Sequence, residues 1–205
     1  MSKRKGAYHH GDLRADLVEA VRGLVEAHGP DRFSVADACR AAGVSTAAPY
    51  RHFADKDAML HAVALEGIRR QRAAMAGAVE GRVPGSNAAL IAMGRAYVDF
   101  AMAEPGVFRL MFGLTRSHGE DEALVAEGWE TYHVLLAQVA ARLGRAEPDP
   151  EVMARSFPMW TFVHGLSFLW IDEKVTVLKL QVSIDAVLAD FTARMLADLP
   201  EPAGA

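Results

Sequence analysis

One cysteine, Cys39, stands among 205 residues. An intramolecular disulfide is therefore excluded, and with it the small cross-linked secreted scaffolds. Cys39 reads as a small apolar side chain on a helix, with a redox sensor as the alternative. Long hydrophobic runs are also missing. The longest, Phe157 to Ile171, has 15 residues, contains His164 and is bordered by Arg155 and Asp172. It falls short of the roughly 20 apolar residues that span a bilayer, so it reads as a buried helix and no membrane partner is expected. With no leader pattern before the first amphipathic segment, a reducing cytoplasm is the expected setting. Neither sign of charge dominates: 22 Lys and Arg face 26 Asp and Glu, a net charge of -4, which excludes a uniformly basic nucleic-acid coat. The chain also lacks a glycine-rich phosphate loop, a metal-ligand spacing, and a nucleophile with a base at motif spacing. No cofactor or metal is expected, and His9 and His10 read as a solvated pair in a polar arm. A helical enzyme using His133, His164 or Asp172 has no motif behind it.

What is present is a hydrophobic fraction of 51%, enough for one large or two small cores, and an uneven distribution of charge. Residues 1–56 hold nine Lys and Arg against seven Asp and Glu, whereas residues 57–205 hold thirteen against nineteen. A basic head on an acidic body approaches phosphate with one end only. Three of the basic residues, Lys3, Arg4 and Lys5, lie together in the arm.

Periodicity predicts helices almost throughout. Leu13, Leu17, Val21, Leu24 and His28 recur at spacings of three and four, and Gly29-Pro30 ends that helix. Ser34 is an N-cap for a second helix from Val35 to about Ala42, with Asp37 near its positive dipole end. Gly43 can take positive φ, Val44 points inward, and Ser45 caps a third helix from Thr46 to Phe53. Pro49 is tolerable so near a helix start, where N–H groups lack partners anyway. Two short helices joined by a three-residue glycine turn form a helix-turn-helix. Asp55 caps a long fourth helix to about Gly81, with Met59, Leu60, Val63 and Ile68 inward. Beyond the Arg82–Ser86 loop, which Pro84 and Gly85 make the expected domain seam, come helices at Asn87–Ala103, Val107–Leu114, Ala123–Leu143, Pro150–Ile171 and Ile184–Leu199. Val175–Val182 alternates like a strand, but one strand has no partner. The fold class is all-α with about nine helices: a flexible basic arm at 1–11, a three-helix helix-turn-helix domain at 12–56, a helical bundle at 57–200 and a tail at 201–205.

The stretch from Phe33-Ser-Val-Ala-Asp-Ala-Cys-Arg through Gly43-Val44-Ser45, Tyr50-Arg-His52-Phe53 and Asp55-Lys56 to Leu60 resembles the DNA-binding signature of the TetR (tetracycline repressor) family. Tyr8-His-His-Gly-Asp-Leu13 resembles one branch of it. The resemblance implies that Tyr50, His52 and Lys56 donate to phosphates, that Ser34 caps the second helix against the DNA backbone, and that Arg51 reaches backbone or base. The chemistry agrees: a helix fills the major groove, Thr46 can hydrogen-bond a base edge or phosphate, and Ala47 can touch a thymine methyl. Lys3, Arg4 and Lys5 add sequence-tolerant phosphate contacts. Tyr50 as a core tyrosine and Phe53 as packing are the plainer alternatives.

In the second half, Pro105-Gly-Val-Phe-Arg-Leu-Met-Phe112 and Trp160-Thr-Phe-Val-His164-Gly165 resemble the tryptophan-histidine-glycine subtype of the family's C-terminal domain. The implied homodimer pairs the last two helices with their symmetry mates, with Phe168, Leu188, Phe191 and Met195 as candidate contacts. Gly165 would permit close helix approach, and Pro158 is expected to kink its helix. Tyr97, Phe108, Met111, Phe112, Trp129, Tyr132, His133, Phe157, Trp160 and His164 are candidate lining for an apolar small-molecule effector. Core packing is the alternative for each, and a satisfied core histidine for His164. The expectation is a regulator, a repressor by preference, that binds a palindromic operator in double-stranded DNA as a dimer and is released by ligand. The rivals are a dimeric helix-turn-helix protein without an effector and the helical enzyme.

Overall fold

The computed structural model of the chain describes residues 13–113 and 121–205, and among these no strand occurs. Lys3, Arg4 and Lys5 of the expected arm lie outside the described residues. The chain divides into two compact units, Met1–Ala64 and Leu65–Ala205.

The first unit contains α1 (Leu13–His28), α2 (Val35–Ala42), a 3-10 turn at Pro49–Arg51 and the start of α3 (Lys56–Val79). The apolar face of α1 consists of Leu17, Val18, Val21 and Val25, and α1 packs against α2. This face is rotated from the expected stripe toward Val18 and Val25: Leu24 is half-buried, and His28, at the helix end, is exposed. A reciprocal capping box starts α2. Ser34 Oγ accepts from the Asp37 N–H at 3.2 Å, and Asp37 Oδ2 accepts from the Ser34 N–H at 2.9 Å. Gly43 closes α2 with φ of 70°, a left-handed conformation that costs glycine no Cβ clash.

The expected third helix is realised as turns around the 3-10 segment. Pro49 has no N–H to give, and the chain tightens to i→i+3 bonds: Ala48 N–H to Ser45 O at 3.0 Å and His52 N–H to Pro49 O at 2.8 Å. Two cations sit over rings in this unit, with the Arg14 guanidinium carbon 5.3 Å from the Phe53 centroid and Lys56 Nζ 4.4 Å from that of Phe33.

The second unit holds the rest of α3 with α4 (Asn87–Ala103), α5 (Pro105–Gly113), α6 (Glu122–Arg142), α7 (Pro150–Ile171), the short α8 (Lys174–Val177) and α9 (Ile184–Met195). Side-chain oxygens of Ser86, Asp121, Asp149 and Ser183 cap α4, α6, α7 and α9. Central α4 packs on α5, α6, α7 and α9, and Val98, Leu166, Ile184 and Leu188 form one core cluster. Gly85 takes φ of 76° where a Cβ would stand 2.5 Å from the Arg142 nitrogen, so the α3–α4 loop lies directly against the end of α6. Pro158 lies inside α7. Past Met195 the expected last helix gives way to turns, and the strand-like 175–182 segment is α8 followed by exposed chain, with Val177, Leu178, Leu180 and Val182 on the surface. No helix among the described residues is long and apolar enough to cross a membrane.

Candidate functional site

In the first unit the glycine turn and the proline-tightened segment leave the predicted DNA contacts of residues 46–52 open to solvent. Thr46, Ala47, Tyr50, Arg51 and His52 are all exposed, Tyr50 at 62%, while Pro49 and Phe53, the alternate positions, are buried beneath them. Tyr50 is therefore no core tyrosine, and Phe53 packs. Lys56 is half-buried, its ammonium over Phe33. Ser34 is exposed, but its hydroxyl donates to Asp37 Oδ2 at 2.7 Å, so its proton is committed to the cap. That bond and the Ser34 N–H hold the Asp37 carboxyl below its ordinary value. Cys39 is 1% exposed, as an apolar core residue would be.

The second unit encloses a cavity of about 910 Å³, at the large end of small-molecule sites. It is walled by α3, α4, α5, α6, α7 and α9. Of the ten residues marked from the sequence, Tyr97, Met111, Phe112, Trp129, Tyr132, Phe157 and Trp160 line it. Trp129 and Phe157 are about half exposed. Phe108 is fully buried behind the wall and His133 is exposed on the outside of α6. His164 also lies behind the lining, ringed by Phe108, Phe112, Trp160 and Phe168 with centroids 4.4 to 5.9 Å away. The sequence reading misses Gln71, Met75, Met93 and Met159, which also line the cavity. The available signal for the first two was the 3-4 spacing of Ile68, Gln71 and Met75 along α3.

Burial sets the protonation of the one polar pair beside the cavity. Tyr97 OH lies 2.9 Å from His164 Nδ1. Burial drives the phenol well above its ordinary range, opposed by the Trp160 and Gln71 side chains, and holds the imidazole below its own. The pair is thus neutral, joined by one hydrogen bond whose direction follows the imidazole tautomer.

Three of the four positions expected at a dimer face turn inward instead. Leu188 is 2% exposed and lines the cavity with Phe191, whose ring stacks on Phe162 at 3.7 Å. Phe168 packs on Phe108 at 5.4 Å, and Met195 is half-buried. The helix has two apolar faces, and the larger side chains fill the protomer's own core. What α7 presents outward is Phe157, Thr161, Gly165 and Leu169.

A capped two-helix corner followed by a helical body around a cavity has the architecture of a helix-turn-helix protein with a second helical domain. Residues 17–63 match the family described as "Bacterial regulatory proteins, tetR family", and residues 90–196 match "Tetracyclin repressor-like, C-terminal domain". The chain belongs to the TetR family of transcriptional regulators. Among solved structures, it is similar to a protein of unknown function from Rhodococcus sp. RHA1, with TM-score 0.79 and 29% identity over 95% of this chain and 99% of that one. It has the fold of a TetR family transcription regulator from Marinobacter aquaeolei VT8, with TM-score 0.65 and 19% identity over 93% and 96% of the two chains. The TetR family regulator PfmR from Thermus thermophilus shares it too, with TM-score 0.64 and 20% identity over 88% and 97%. No curated protein matches the sequence.

Proposed function

We propose that the protein is a repressor that binds a palindromic operator as a homodimer and leaves it when a small apolar molecule occupies the body. The observation that carries the DNA half is the exposure of Thr46, Ala47, Tyr50, Arg51 and His52 on a single short segment, above a buried Pro49 and Phe53. Donors at 50, 52 and 56 suit phosphate, and Thr46 and Ala47 are the residues short enough to approach base edges. The cavity of about 910 Å³ favours the sensor over a solid dimerisation scaffold. The Trp160, His164 and Gly165 constellation supports the tryptophan-histidine-glycine subtype.

Support for the dimer comes from α7 and α9. Gly165 is exposed and a Cβ there would meet nothing in this protomer. A helical glycine costs about 1 kcal/mol against alanine, so its reason lies in a neighbour outside the chain. Phe157, Thr161 and Leu169 on α7 share its surface, and α9 presents Ala186, Ala189 and Ala193. We assign this mixed face, apolar at Phe157 and Leu169 and small at Gly165 and the alanines, to a second copy, in an interface that would bury more than about 2,000 Å².

The test is operator binding by a Tyr50→Ala, Lys56→Ala double variant. Binding should weaken on every sequence, and the dependence of log affinity on log salt should shallow by about two, one lysine contact per protomer. Thr46 and Ala47 changes should alter which sequence is chosen. Unchanged affinity in a double variant with wild-type helicity would sink the assignment. For release, the coupling must be reciprocal: ligand and operator each weaken the other by the same factor.

A further inference from the structure

The cavity wall carries information about the polar end of its occupant. Among the described residues lining it there is no Asp, Glu, Lys or Arg. Burying a carboxylate or phosphate there would strip its water with no counter-charge in return. Two of the four hydroxyls among the lining residues are engaged within the protein: Tyr97 hydrogen-bonds with His164 Nδ1 at 2.9 Å and Thr131 Oγ1 donates to Glu127 O at 2.8 Å. Gln71 differs. It is 2% exposed, it lines the cavity, and its Nε2 has no hydrogen-bond partner. Buried amide N–H groups are almost always paired, since leaving one unmade is costly. The Gln71 side chain lies near enough to the Tyr97 phenol to influence it. An amide nitrogen bears two hydrogens, however, so one is left over even if the other turns to that oxygen.

Resting on the reading of the body as a sensor, we propose that its ligand is a neutral, mainly apolar molecule with one uncharged oxygen acceptor, a ketone, ester, lactone or amide carbonyl, held by Gln71 Nε2. The aromatic and methionine walls take the apolar bulk, and Gln71 fixes which way round the molecule enters. Carboxylates of the same shape are rejected.

Three naphthalene dyes of one shape test this: the solvatochromic ketone 6-propionyl-2-(dimethylamino)naphthalene, its 6-propyl analogue, and 6-(dimethylamino)-2-naphthoate. Each is titrated into the wild-type chain, Gln71→Met and Gln71→Leu. Two variants of similar volume guard against a failure of folding in either. Removing the donor should weaken the ketone about five- to tenfold and leave the propyl analogue unchanged or tighter. The bound ketone should also emit at shorter wavelength, having lost its hydrogen bond. Equal effects on ketone and propyl analogue would show that Gln71 is only wall and overturn the proposal, with the sensor reading intact. So would naphthoate binding as tightly as the ketone. Failure of all three dyes to bind the wild-type chain would remove the sensor reading and this inference with it.

Discussion

Leu188→Ala separates the protomer's core from the dimer face. Leu188 lies 2% exposed in the cluster with Val98, Leu166 and Ile184, and its Cδ2 would stand 3.2 Å from a Cβ added at Gly94. Truncating a buried leucine costs about 2–5 kcal/mol, rising with the cavity left behind. Leu188 already borders a cavity, so part of its surface has no packed neighbour to lose. The lower end, about 2–3 kcal/mol, applies. In a chain of this size each kcal/mol moves the melting temperature by about 2–4 °C, which gives a fall of about 5–10 °C. Association makes the melting temperature depend on protein concentration, so melts are compared at two concentrations alongside sedimentation. A core defect lowers both melts equally and leaves the dimer assembled. A Thr161→Arg substitution, on the exposed face of α7, should instead dissociate the dimer and spare the protomer. If Leu188→Ala sedimented as a monomer with an unchanged melting temperature, the assignment of α9's large side chains to the protomer core would fail.

Ser34→Ala removes the oxygen that caps α2 and frees Asp37 from its capping box. The loss of about 1 kcal/mol should speed hydrogen exchange of the first α2 amides about fivefold and weaken DNA binding, and unaltered exchange would show the cap to be idle. His164 predicts an acid-sensitive body. Its folded pKa lies below the ordinary 6.5 because of burial, so below about pH 6.5 the unfolded chain binds the extra proton first. Stability is therefore full above that pH and falls as pH drops toward the folded value. Thermal melts from pH 7.5 to 5 should show this slope in the wild type and a flatter one in His164→Gln; equal slopes would mean the imidazole is not held neutral by the fold.

Some elements were legible because their ends are punctuated. The limits of α4 and α7 match the periodicity to the residue, since Ser86 and Pro105 bracket the first, and Asp149-Pro150 and Asp172 the second. The third helix was less legible because a proline's effect depends on where the chain can find other bonds, and Pro49 tightened the turn instead of joining an α-helix. On the site, the exposure of Thr46, Ala47, Tyr50, Arg51 and His52 followed from a local motif. The cavity did not: the 3-4 spacing of Ile68, Gln71 and Met75 sets Gln71 on an apolar stripe, but the polarity of a glutamine argues for the opposite face. Gln71 reads as solvent-facing until six helices close around it. The inward turn of Leu188 and Phe191 was hidden for a related reason: on helices apolar on two sides, periodicity finds both faces and cannot say which packs at home.

One helix contributes to both units, and its packing bears on how a ligand could be felt at the DNA. α3 starts with Lys56 and carries Ile68, Gln71 and Met75 to the cavity. Between them Gly67 leaves α5 no slack: a Cβ there would fall 2.6 Å from Val107 Cγ1 and 2.9 Å from Met111 Sδ. Met111 also lines the cavity. A ligand that displaces Met111 therefore pushes on a close approach of two helices, and packed interiors respond to such a push by shifting whole elements. Arg70 holds α3 to Glu104 through two bonds of 3.0 and 2.6 Å, and Arg69 and Arg72 hold it to Glu127, so a moved α3 must strain or exchange these pairs. The strain required is small. A tenfold loss of operator affinity needs about 1.4 kcal/mol of difference in ligand affinity between the two conformations, within the range of about 1–3 kcal/mol that overpacking a core with extra methylenes costs.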